Sequence, residues 1–194
     1  MRFLPGLICL LPLLSPLAHA ELIDDVNDRG ELRIALEANT PPFNYKDDGK
    51  LTGFEVELGQ LLADELDVRA DFVVTDASDL LPGVETGKYD IAINHITMTS
   101  ALKDRFDFSE PYSYTHAQLI AQKEEPQSIL LVQSLTQEKP KANPMVSLAI
   151  PFQKGNPAFH ASLENALQRI KADGRLEALS QKWLGADTSV APKP

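Results

Sequence analysis

Apolar positions along the chain repeat with two different periods. Leu32, Ile34 and Leu36 alternate with Arg33 and Ala35, the period of a strand. Phe54, Leu58, Leu61, Leu62 and Leu66 recur at helical spacing and predict a helix with a wide apolar stripe. Between them, Asn39-Thr40-Pro41-Pro42-Phe43 reads as a rigid loop, because two prolines fix φ and forbid helix. Asp47-Asp48-Gly49 reads as a hairpin turn joining residues 43–45 to residues 51–53. Phe72-Val73-Val74 is the next strand, and a short amphipathic helix around Leu80 stops at Gly87, where glycine accepts a positive φ. Ile91, Ile93 and Ile96 supply a buried strand, and a second short helix runs from Ser100 to about Arg105. An extended run starts at Asp107. Val146 to Ile150 is a returning strand, followed by helices on Phe159, Leu163, Leu167 and Ile170 and on Leu176, Leu179, Trp183 and Leu184, with Asp173-Gly174 between them. Leu22 to Arg29 reads as a lead-in. This alternation predicts an α/β fold with a mostly parallel sheet flanked by helices.

Two regions depart from that periodicity. Phe3 to Leu17 is an apolar run broken by three prolines, with Arg2 before it and Ala18-His19-Ala20 after it. This is the layout of a secretory leader cleaved after Ala20; the run is too short for a membrane span. Residues 1–20 are therefore expected to be lost, leaving a periplasmic mature chain that begins at Glu21. The single cysteine of the 194 residues, Cys9, leaves with the leader, so the mature chain can form no disulfide and offers no thiolate. The second region is residues 123–144, charged and broken by Pro126, Pro140 and Pro144, with room for one short apolar element at Ile129 to Leu135. Net charge is −10, and removing Arg2, the one charged residue of the leader, makes it −11. Such a balance excludes nucleic acid and anionic lipid surfaces as partners.

The candidate chemistry gathers at the end of the Ile91–Ile96 strand, where Asn94, His95, Thr97 and Thr99 precede a helix. Carboxyl ends of strands are where α/β proteins bind small ligands. The stretch GKYDIAINHITMT…DFSEPY resembles the signature of the periplasmic solute-binding proteins of the amino-acid type, family 3. Pro41-Pro42-Phe43-Asn44-Tyr45 through Gly49-Lys50-Leu51-Thr52-Gly53-Phe54 resembles the family's first ligand loop, hairpin and helix entry. The K-A-D-G and K-W-L-G segments near the end resemble its C-terminal helices. The resemblance implies a periplasmic-binding-protein-like lobe I in residues 21–122 and return elements in residues 145–187. It implies a vestigial lobe II in residues 123–144, where relatives carry a complete lobe; residues 188–194 are expected to be a flexible tail. It also implies capture of a small polar solute for an inner-membrane ABC permease.

Three contacts that the resemblance leads one to expect are missing. The carboxylate-binding arginine of the family's T-x-x-R motif falls at Leu102, counted from Thr99, and the usual aromatics fall at Thr40 and Ala77. The expected ligand-binding residues are therefore Thr40, Asn94, His95, Thr97 and Thr99, with Thr97 or Thr99 also a natural helix N-cap. No metal site or cofactor is expected, since His95 has no histidine or carboxylate partner at ligand-like spacing and His116 and His160 stand alone. No catalytic residue is expected either, because the sequence has no G-x-S-x-G, phosphate loop or H-E-x-x-H. An alternative class is a non-transport interaction or sensing module on the same lobe. A homodimer across the open cleft would cover a half-site.

Overall fold

In this computed structural model residues 21–116 and 145–191 are described. In chain order the first half comprises α1 (Leu22–Arg29), β1 (Glu31–Leu36), β2 (Asn39–Thr40), β3 (Asn44–Asp47), β4 (Lys50–Thr52), α2 (Phe54–Glu65) and β5 (Arg69–Val74). There follow α3 (Ala77–Glu85), β6 (Ile91–Ala92), α4 (Ser100–Lys103), β7 (Phe106–Phe108) and β8 (Ser113–His116). The remainder comprises β9 (Met145–Leu148), β10 (Pro151–Gln153), α5 (Pro157–Ala172) and α6 (Arg175–Leu184).

The central sheet has five strands in the order β5-β1-β6-β10-β7. β1 pairs in parallel with β5 and β6, and β10 runs antiparallel to both β6 and β7. Four strands thus point one way and β10 the other, so the mostly parallel expectation holds and the one reversal is the chain's return.

Alternation along the strands sorts side chains into two layers. Leu32 and Ile34 of β1, Ile91 of β6 and Ile93 just beyond it pack with Val26, Phe54, Leu58, Phe159, Leu163 and Leu167 on one face. Ala35 and Ala92 turn to the other face, against Leu80, Val84, Tyr89 and Phe106. Small residues there let α3 lie close to the sheet.

The expected lead-in at Leu22 to Arg29 is instead a helix that buries Leu22 and Val26. Its docking is polar as well, since the Leu22 N–H donates to Asn156 Oδ1 at 2.9 Å and Glu21 Oε2 accepts from the Ala158 N–H at 2.6 Å. Those partners are more than 130 positions away, which is why local pattern showed no helix.

The proline loop is tied to α2 by backbone bonds, Phe54 N to Pro42 O at 3.0 Å and Glu55 N to Phe43 O at 2.9 Å. Gly53 makes this approach possible, at φ 128°, where an added Cβ would lie 2.3 Å from Phe43 O. The short strand β2 inside the predicted loop pairs with β3, closing the hairpin into a three-stranded unit. β8 and β9 pair antiparallel, Ser113 opposite Leu148 and His116 opposite Met145, so the chain leaves and re-enters this body at adjacent points. The segment expected to be a vestigial lobe II lies outside the described residues. The tail expected to fray is tied at Thr188, whose carbonyl accepts from Tyr114 N at 2.8 Å and whose N–H donates to Ser180 Oγ at 3.0 Å.

Candidate functional site

β6 ends at Ala92 and the chain enters a polar turn, residues 94–99, docked on the returning chain by a bridge between Thr97 and Leu148 and by Ala149 N to Ile96 O at 3.1 Å. The expected site residues behave differently from one another there. The Asn94 side chain is buried and its amide is committed inside the protein. Its Oδ1 accepts from Glu37 N at 3.0 Å and Asn44 Nδ2 at 3.2 Å, and its Nδ2 donates to Glu37 Oε2 at 2.9 Å. Asn94 thus ties the turn to the end of β1. Thr99 caps α4, accepting from Leu102 N at 3.3 Å, as its N-cap alternative anticipated. Thr40 donates to its neighbour Asn39 Oδ1 at 2.9 Å and is linked to the turn through Asn44, its register partner across the hairpin.

His95 stands at φ 41°, in the left-handed region, at a cost on the order of 1 kcal/mol for a residue other than glycine. Two contacts hold it there. Its N–H donates to Glu55 Oε1, and its ring packs on Phe43 at 5.8 Å between centroids. Nδ1 is buried, 3.9 Å from Glu55 Oε2 and with no hydrogen-bond partner among the described residues, while the side chain is 37% exposed.

Sequence reasoning missed Glu55. It is fully buried at the start of α2, where the helix dipole favours negative charge, and it accepts from Asn44 Nδ2 at 2.5 Å, Tyr112 Oη at 2.6 Å and His95 N. A carboxylate therefore does face His95, supplied from 40 positions upstream rather than at the ligand-like spacing to which the sequence reading was confined. The Glu55 carboxylate facing the ring, followed by the charge of Glu37, raises the His95 pKa above its ordinary value against the opposing effect of burial. Burial first, then Glu55, pushes the Tyr112 phenol well above 10. The available signal was a glutamate in the apolar stripe of a helix, which requires buried partners.

Beside the turn, an open groove of about 430 Å³ lies at the carboxyl ends of β1 and β5, lined by residues 37–39, residues 74–76 and Lys46. Leu102 contributes nothing polar to the site, since its side chain packs with the Leu80, Val84 and Phe106 layer. Arg105 is engaged elsewhere, bonded to Glu85 at 2.5 Å and lying over the Phe106 ring. Among the described residues no group of three or more His, Cys, Asp or Glu side chains is placed to hold a metal ion, and no helix is long and apolar enough to cross a membrane.

Residues 32–186 match the family model of the bacterial extracellular solute-binding proteins, family 3. The L-cystine-binding protein TcyJ of Escherichia coli K12 is 26% identical over 237 aligned positions, covering 89% of each chain. That alignment is longer than the present chain of 194 residues, so the relative carries positions that this chain lacks. The L-cystine solute receptor of Neisseria gonorrhoeae, in its unliganded open conformation, superposes with a TM-score of 0.70 at 24% identity, over 89% of this chain and all of that one. The arginine-bound form of domain 1 of the arginine-binding protein TmArgBP superposes at 0.59 and 24%, over 77% of this chain and 98% of that one. The sheet order, the polar turn after β6 and the match across 32–186 lead to one assignment: the chain belongs to family 3 of the bacterial extracellular solute-binding proteins.

Proposed function

We propose that this protein captures a small polar solute in the periplasm and presents it to an inner-membrane ABC permease. What carries the reading is the polar turn 94–99, set at the carboxyl end of the central strand β6 and beside an open groove. The family relationship supports it, and the named relatives are binding proteins. In this reading Thr40, His95, Thr97 and Thr99 line the solute, and Asn94 fixes the turn that presents them. The solute sits in a half-site, because residues 123–144 offer little material for a covering lobe. The arginine-bound domain 1 of TmArgBP is a precedent for a single domain holding its solute.

The same reading makes the site atypical. Leu102 replaces the guanidinium, and losing one charge-assisted bond weakens carboxylate binding roughly tenfold or more. A thermal-shift screen of the mature chain against amino acids, small carboxylates and polyamines tests both statements, since a solute that binds only the folded state raises the melting temperature. At neutral pH at least one small polar solute should raise it, and standard L-amino acids should do so weakly. No shift with any solute would overturn the capture role. Micromolar affinity for a standard amino acid at that pH would overturn the atypical site. Protein recovered from the periplasm should begin at Glu21 by mass; an intact Met1 there would refute export with cleavage.

A further inference from the structure

The turn, α4 and the two residues after it carry three cationic or potentially cationic side chains, and only one of them lies in the turn. Arg105 is paired with Glu85. Lys103 lies exposed on the four-residue helix α4. His95 remains, in the turn itself. Its Nδ1 edge is buried toward Glu55, so the exposed part of the ring is the edge bearing Nε2. Glu55 cannot swing away, since Asn44, Tyr112 and the His95 N–H all hold it. A carboxylate held at 3.9 Å from one edge of the ring favours the protonated imidazole and leaves the second nitrogen to meet a ligand.

Resting on the reading that this turn holds a solute, we propose that His95 binds a carboxylate of that solute through Nε2–H, taking the role left open by Leu102. The charged groups that face the ring are Glu55 from α2 and Glu37 from the end of β1; the hairpin contributes the Phe43 ring, and beyond β7 the Tyr112 hydroxyl reaches Glu55. Both charges are negative and favour the imidazolium. Thr99 Oγ1 already accepts from Leu102 N, so its own hydrogen is free to donate. A protonated His95, and Thr99 four residues further along the same turn, supply donors suited to an acceptor group that carries negative charge.

The sign with pH follows. The imidazolium is present below the pKa of His95 in the folded chain, which is raised above 6.5, and is lost as pH rises through it. Carboxylate binding should therefore be tighter in acid. Calorimetry of the mature chain with L-arginine and with L-argininamide, which lacks the carboxylate, at pH 5.5 and 8.5 decides the matter. Arginine affinity should fall roughly tenfold between the two values, the size of one lost charge-assisted bond, while argininamide shows no such fall. His95→Gln should bind arginine at both values as the wild type does at 8.5, and His95→Arg should keep the acid affinity at both. Equal arginine affinity at the two values in the wild type, or a fall that survives in His95→Gln, overturns the assignment. If neither probe binds while the solute screen finds another ligand, only the carboxylate assignment fails. If both experiments find nothing, the capture role fails with it.

Discussion

Glu55 lies between Phe54 and Val56 at the start of an apolar helix and receives hydrogen bonds from Asn44, His95 and Tyr112. Each donor comes from a different element, so one carboxylate joins α2, the hairpin, the polar turn and the approach to β8. Tyr112 reports on this arrangement. Its phenol is fully buried and held well above 10, by burial first and then by Glu55. A raised pKa contributes stability below the unfolded value near 10, and that contribution is lost as pH rises beyond it. In an ultraviolet titration of the four tyrosines, Tyr112 should ionise last and only as the protein unfolds. In Tyr112→Phe that late step should be absent. A wild type whose four phenols all titrate together near 10 would contradict this. At this scale the sequence made His95 and the threonines legible as candidates, because short polar residues stood out after an apolar strand. It could not show that Asn94 is spent on Glu37 and Asn44, because those bonds join positions 50 to 57 residues apart.

The elements hold their places through a few residues that the motifs contain but do not explain. Asp90, at the end of the Gly87-to-Asp90 turn, is fully buried. It accepts from Arg29 Nη2 at 2.6 Å, Arg33 Nη2 at 2.7 Å and Arg33 N at 2.7 Å. It thereby fixes the entry of β6 beside β1 and the end of α1 above both, and the Asp90 partnership raises the Arg33 pKa. Removing one member of a buried pair leaves the others poorly compensated. Asp90→Ala should accordingly lose about 3 kcal/mol in urea unfolding. A loss under about 1 kcal/mol would show that the arginines are satisfied by water instead. Helix and strand identities were legible because periods of 2 and 3.6 persist in β1, α2, α5 and α6. The helix α1 was not, since only Leu22 and Val26 are buried and its anchors are Asn156 and the α5 N-terminus.

For the whole molecule, the pairing of β8 with β9 decides what any closing motion could involve. Residues 113–116 and 145–148 run side by side, so everything between them is inserted at one point of the body. Two-lobed binding proteins trap a solute by hinge closure of a second rigid lobe. In the half-site proposed above no second lobe closes on the solute, so binding should leave the overall dimensions unchanged. Small-angle scattering of the mature chain with and without the solute found by screening should give the same radius of gyration. A monomer that contracts clearly on binding would require a working second lobe and refute the half-site. A doubled mass in the same experiment would support the expected dimer across the cleft.

What the sequence determined by itself was whatever short-range pattern carries: the α/β alternation, the hairpin after the proline loop and the turn at the end of the β6 strand. These follow from periodicity, turn chemistry and residue type, which act over a few positions. The antiparallel return of β10, the docking of α1 on α5, the tie at Thr188 and the Glu55 network were settled by tertiary structure alone. Each joins residues far apart in the chain through burial or through hydrogen bonds whose partners are fixed only once the sheet has formed. The chemical character of His95 belongs with them. A histidine after an asparagine is an ordinary surface pattern, and a buried carboxylate behind its ring is what raises its pKa and sets which edge faces inward.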